Sequence, residues 1–187
     1  MNYHDFIWDL GGTLLDNYEM STNAFVATLK DFHIQANHDS VYVALKISTQ
    51  DAIATFAPHV SDFRTEYKKK EAIALQEPVL FDGAKELLEE IQLQGGRHFL
   101  VSHRDRQVLT LIDQTGIASF FTEIVTADEG FPRKPDPASM LYLKEKYGIQ
   151  DGLVIGDRPI DIEAGKAAGL TTYLFDTMSH LHQFIFE

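Results

Sequence analysis

At 187 residues with 44% hydrophobic side chains, the chain is long enough for one α/β domain carrying an insertion and rich enough to bury a core. A net charge of −12 leaves no basic excess to neutralise a nucleic-acid backbone or an anionic membrane, and the absence of cysteine excludes a disulfide framework and a thiolate zinc site. The longest apolar runs are too short to span a bilayer, and Met1 to Asp5 lack the basic and apolar segments of a secretion signal, so a cytoplasmic protein is expected.

A first strand is predicted from His4 to Asp9, where Phe6-Ile7-Trp8 forms the continuous apolar run of a strand covered on both faces. It delivers Asp9 into Leu10-Gly11-Gly12-Thr13, a turn whose glycines let main-chain groups approach an ion or a phosphate closely. From Asp16 to about Glu77 the period becomes helical, with Phe25, Val26, Leu29 and Phe32, then Val41 and Leu45, then Ile53 and Phe56. Pro58 and the polar stretch from Gln35 to Asp39 divide this region into several short helices. Asp16 and Glu19 have the spacing of a helix cap, which is weighed against a chemical role for Asp16. A helical insertion over residues 16–81 is therefore expected, flanked by a core made of 1–15 and 82–187.

Strands and helices then alternate. Ala84 to Gln94 is an amphipathic helix ended by Gly95-Gly96, and Arg97 to Ser102 is a second buried strand. A helix from Arg104 to Gln114 precedes a third strand, Phe121 to Thr126; a polar loop leads to a helix from Ala138 to Tyr147. Leu153-Val154-Ile155 forms a fourth strand ending in Gly156-Asp157, Ile160 to Ala168 a helix, and Thr171 to Phe175 a fifth strand. Strands separated by helices of about ten residues imply an α/β fold with a doubly wound parallel sheet, whose ligand crevice lies at the carboxyl ends of the strands.

Three strand ends thus bring Asp9, Ser102 and Asp157 to one rim, with Asp161 four residues further on and Arg133-Lys134-Pro135-Asp136-Pro137 in the loop after the third strand. Carboxylates gathered at one point repel unless a cation lies among them. Magnesium, which prefers carboxylate and carbonyl oxygen and binds beside phosphate, is the simplest choice. Lys134 and the Ser102 hydroxyl would then hold phosphoryl oxygens, an outline of phosphoryl transfer with a carboxylate nucleophile.

The motifs Asp9-Leu10-Gly11-Gly12-Thr13-Leu14, Val101-Ser102, Lys134-Pro135-Asp136-Pro137 and Gly156-Asp157-Arg158-Pro159-Ile160-Asp161, in this order, resemble those of the haloacid dehalogenase superfamily. The similarity is to its phosphoglycolate-phosphatase-like and β-phosphoglucomutase-like branch, which inserts a helical cap of the C1 type after the first strand, and it covers essentially the whole chain. It implies a Rossmann-like core, a movable cap and hydrolysis of a small phosphorylated metabolite. Asp9 would be the nucleophile, with Lys134 and Ser102 acting on the phosphoryl group. Asp9, the Gly11 carbonyl, Asp157 and Asp161 would hold Mg2+, and Ser102, His103, Lys134, Gly12 and Thr13 would surround the phosphate, with Thr13 supporting the loop.

One position departs from that pattern. The superfamily's phosphatases usually carry a second aspartate two residues after the nucleophile, which moves protons to the leaving group and from water; here it is Gly11. Several readings follow: a hydrolase that is slow or suited to activated phosphates; a substitute proton carrier, His103, against a plain helix-start role; a phosphonatase-like enzyme using Lys46, against a solvated surface lysine; or a non-catalytic phosphate-binding or regulatory protein. Dehalogenation fits poorly, because no arginine precedes Arg64 to receive halide in the early insertion. Arg158 is expected to pair with Asp136 or contact substrate, and Tyr18 and Phe25 to pack in the core or face substrate.

Overall fold

The computed structural model describes all 187 residues. They divide into two compact units, one formed by Met1–Leu15 with Leu80–Glu187 and the other by Asp16–Val79.

The first unit is a five-stranded, all-parallel sheet of β1 (Asp5–Trp8), β2 (Arg97–Val101), β3 (Phe121–Val125), β4 (Gly152–Gly156) and β5 (Thr171–Leu174), in the order β3-β2-β1-β4-β5. Strand β1 is central because both of its neighbours are buried apolar strands that match its register, Trp8 lying opposite Leu100 on one side and Ile155 on the other. Side chains alternate between faces along a strand. Phe6 and Trp8 accordingly enter one core with Leu87, Leu88, Leu100 and Ile155, whereas Ile7 enters a second with Phe99, Met140, Leu143 and Val154. Two covered faces explain why the strand sequences read as unbroken apolar runs.

In the first unit the helices are α5 (Ala84–Leu93), α6 (Gln107–Gln114), α7 (Ala138–Tyr147), α8 (Pro159–Ala167) and α9 (Met178–Phe186). Helix α6 starts three residues later than the apolar pattern suggests, since residues 102–106 form a turn at the end of β2. The periodic elements read from the sequence end at Phe175, yet α9 follows. The Thr177 hydroxyl accepts the His180 N–H, and Leu181 and Ile185, four residues apart, are fully buried. A serviceable cap and one short apolar stripe were its only local signals.

The second unit holds α1 (Asn17–Asp31), α2 (His38–Ile47), α3 (Thr49–Phe56) and α4 (Phe63–Ala74). Phe25 is its centre, with ring centroids 4.8 Å from Phe63 and 5.0 Å from Tyr67. Asp16 caps α1 by accepting the Glu19 N–H at 3.0 Å, and it also accepts the Tyr42 hydroxyl at 3.2 Å. Leu80 and Phe81 lie in the first unit: Leu80 bridges Leu15, and the Phe81 N–H donates to the Leu14 carbonyl. No helix is long and apolar enough to cross a membrane.

Candidate active site

Strand β1 runs straight into the site. The Asp9 N–H donates to the Ile155 carbonyl at 2.8 Å, extending the sheet by one bond and holding the Asp9 side chain at the crevice between β1 and β4. The Leu10 carbonyl then accepts the N–H groups of Leu14 and Leu15, folding residues 10–15 into a compact turn on two fully buried leucines, Leu10 and Leu14. Gly12 stands at φ +85°, and a Cβ there would come within 2.3 Å of an Asp157 carboxylate oxygen. Two separate constraints, backbone and contact, therefore exclude a side chain at that position.

Asp157 follows β4, and Asp161 projects back from the first turn of α8. The Asp161 carboxylate accepts the Arg158 N–H at 3.1 Å, which orients it. Gly156 makes room for it: a Cβ at 156 would lie 2.3 Å from that of Asp161. Carboxylate oxygens of Asp9, Asp157 and Asp161 all lie within 4.8 Å of one another.

Lys134 enters this group from the loop after β3. Its Nζ is 2.6 Å from Asp9 Oδ1 and 2.5 Å from Asp161 Oδ1, and it donates to the Val101 carbonyl at 3.2 Å. The ammonium thus donates to Asp9 and to the Val101 carbonyl and is ion-paired with Asp161, whose Oδ1 accepts no hydrogen bond. With every group ionised, three carboxylates and one ammonium leave an excess of two negative charges. Burial pushes Asp9 above the usual carboxylate range, an effect that Lys134 opposes and Asp161 reinforces. Asp157 is pushed up to about 6, by burial first and then by Asp9 and Asp161. Such a site is short of positive charge, and its hard oxygen donors suit a small divalent cation.

Ser102 ends β2 beside this group. Its N–H donates to the Val125 carbonyl, and its buried Oγ accepts the Arg104 N–H at 3.2 Å, leaving the hydroxyl proton to be donated elsewhere. Thr13 is fully buried, but its hydroxyl has no hydrogen-bond partner, so it ties down no part of the loop through that oxygen. His103 accepts the Lys134 backbone N–H through Nε2 at 2.7 Å. Partial burial and then the charges of Lys134, Arg133 and Arg158 push its ring down to about 4. A ring that is neutral and occupied at Nε2 anchors the loop bearing Lys134.

Several other expectations take definite form. The nearest carboxylate to Arg158 is that of Asp157, at 4.0 Å, and Asp136 instead accepts the Ala138 N–H at the start of α7. Phe25 is a fully buried core residue of the helical unit, and in that unit Lys46 lies over the rings of Tyr18 and Tyr42 at 5.7 and 5.8 Å. The Val101 carbonyl that holds Lys134 has no sequence signature, because a backbone acceptor leaves no mark on residue type.

A family profile described as haloacid dehalogenase-like hydrolase matches residues 6–175, the whole span from β1 to the end of the sheet. The chain belongs to this family. A crystal structure of a hydrolase from Streptococcus pneumoniae TIGR4 shares 62% identity with this family member over 99% of both chains, with a TM-score of 0.95. A phosphoglycolate phosphatase from Pseudomonas putida is 35% identical over 95 residues, which are 49% of this chain and 35% of that protein. The chain thus spans about a third of the length of that relative. Pyrophosphatase PpaX from Oceanobacillus iheyensis is 25% identical over 184 residues, covering 92% of this chain and 83% of the other.

Proposed function

We propose that this protein is a magnesium-dependent phosphatase that hydrolyses a small phosphorylated metabolite through a phospho-Asp9 intermediate. The observation that carries the reading is the convergence of Asp9, Asp157 and Asp161 within 4.8 Å around the Lys134 ammonium, at the carboxyl end of the central strand. Family membership and the phosphatases among its relatives support it.

Asp9, the Gly11 carbonyl, Asp157 and Asp161 would hold the cation. When bound, Mg2+ supplies positive charge to the phosphoryl oxygens as negative charge builds on them. The protein's own groups do the rest. An Asp9 carboxylate oxygen attacks phosphorus, forming an acyl phosphate and expelling the leaving-group oxygen; water then attacks that phosphorus, and Asp9 leaves as a carboxylate with inorganic phosphate as product. Lys134 holds the carboxylate in place and shares its charge with the phosphoryl group, while the free hydroxyl proton of Ser102 binds an oxygen; Gly12 and Thr13, whose N–H groups are taken by the Leu15 and Leu10 carbonyls, shape the turn beneath it. Gly11 cannot carry a proton, so rate depends on a leaving group that departs without one. Acyl phosphates and phosphoanhydrides meet that condition better than sugar phosphates.

The test is phosphate release from acetyl phosphate and p-nitrophenyl phosphate with and without magnesium. Native turnover that needs the metal and is lost in Asp9→Asn is the expected result. Turnover that survives Asp9→Asn, or its absence from the native protein with every activated phosphate, overturns the reading.

A further inference from the structure

A cavity of about 220 Å³ lies within the first unit, between the carboxyl ends of β2 and β3 and the N-terminus of α7. Ser102 stands on its wall while Asp9 and Lys134 do not, so the cavity adjoins the proposed phosphoryl site on the side of Ser102 and extends away from Asp9. Val101, Val125 and Phe131 supply apolar wall, and Ser139, Arg133 and His103 supply polar groups.

Three features make this a built site. Ser139, the second residue of α7, is only 3% exposed, and its hydroxyl has no partner in the protein. A hydroxyl on the cavity wall with no protein partner can donate to, or accept from, a ligand there. The first turn of α7 adds N–H groups without intrahelical acceptors and the positive end of the helix dipole. Of these, the Ala138 N–H is taken by Asp136 at 2.9 Å. Finally, Arg133 has no carboxylate at ion-pair distance in a chain where 28 acidic residues face 16 basic ones. The neighbouring acids are engaged: Glu129 accepts the Thr126 N–H and hydroxyl, and Asp128 accepts the Arg106 N–H.

We propose that this cavity binds a small organic carboxylate with a short apolar body. Arg133, the Ser139 hydroxyl and the start of α7 take the carboxylate, a planar anion matched to a guanidinium fork. Val101, Val125 and Phe131 take the body. The volume lies below the ~300–1,000 Å³ of pockets for drug-sized ligands and suits a few carbon atoms. Apolar walls, with Glu129 nearby, disfavour a doubly charged inorganic phosphate. The His103 ring lines the cavity and also accepts the Lys134 N–H, so a bound carboxylate bears on the residue that pairs with Asp9.

Amide-resolved NMR of the full chain, titrated with sodium butyrate in the absence of magnesium, tests this without requiring turnover, so failure of the hydrolase reading leaves the outcome interpretable. Parallel titrations use butyramide and inorganic phosphate, and the variants are Arg133→Gln, at an exposed position, and Ser139→Val. Saturable shifts at Ala127, Phe131 and Ser139 are expected with butyrate, weakened roughly tenfold or more by butyramide or Arg133→Gln and abolished by Ser139→Val. Three results overturn the proposal: no saturable shift at these residues, equal binding of butyramide, or inorganic phosphate displacing butyrate from the same amides.

Discussion

Lys134 Nζ and Asp9 Oδ1 are 2.6 Å apart although 125 residues separate them in the chain, and both side chains are almost wholly buried. A buried ion pair contributes little to stability against an apolar replacement of both partners, but losing one partner strands the other. Here the stranded partner would be two carboxylates, because the same ammonium also meets Asp161.

Lys134→Met should therefore destabilise the metal-free protein by about 3–5 kcal/mol near neutral pH. Asp9, already pushed up by burial, rises further without the ammonium and holds a proton that the unfolded chain releases. Stability of the variant then falls as pH rises, so the gap from native should widen between pH 5 and pH 8. Urea titrations in EDTA at those two pH values check this, and a gap that narrows with pH would contradict it.

Gly156→Ala places a methyl group where Asp161 now packs, 2.3 Å from its Cβ. Overpacking of this kind typically costs ~1–3 kcal/mol, and Asp161 must swing away from Lys134. Phosphatase activity should drop by roughly tenfold or more, with a larger effect on the magnesium dependence than on substrate KM. Thermal unfolding and metal titration of turnover together provide the measurement.

His98 is buried between the two layers of helix and sheet, accepting the Trp8 indole N–H at Nδ1 and donating from Nε2 to the Leu88 carbonyl. Burial pushes its ring down to about 4. The unfolded chain takes up a proton near pH 6.5 while the folded one stays neutral, so stability from this group is complete above pH 6.5 and is lost as pH falls towards 4. The full span amounts to about 3 kcal/mol. His98→Phe should remove that acid-side slope in urea unfolding at pH 7.5 and pH 5. At pH 7.5 it should cost about 1–3 kcal/mol for the stranded indole N–H.

His103→Gln should retain much of the activity, since an amide oxygen can accept the Lys134 N–H, whereas His103→Leu should lose it. The pH–rate profile of the native protein should show no limb near 6.5 traceable to this ring, which burial and nearby cations have already pushed down to about 4. A limb near 6.5 present in the native protein and absent from His103→Gln would restore the ring as a proton carrier.

Gly11 is not at positive φ, in contrast to Gly12, so its backbone accepts a side chain. Gly11→Asp should speed hydrolysis of alkyl phosphates by ~10²–10⁴-fold and change acetyl phosphate turnover far less. Equivalent gains with both substrates would show that proton delivery to the leaving group is not what the native protein lacks.

The sequence alone determined the α/β class and the ends of the strands, because those depend on local matters. Apolar runs of a few residues ended by glycine or a polar turn identify buried strands, and the same rule placed Asp9, Ser102 and Asp157 at carboxyl ends. Motif resemblance added the family. Tertiary structure decided everything that depends on long-range pairing. The order β3-β2-β1-β4-β5 brings the ends of β1 and β4 side by side, and Lys134 reaches both Asp9 and Asp161 through a loop with no periodic signal. The roles of His103 and Arg158 likewise turned on which neighbour each met, and α9 on burial of a stripe too short to read as a helix by itself. Local pattern encodes which face of an element is apolar; only the packed sheet sets which polar ends share a crevice.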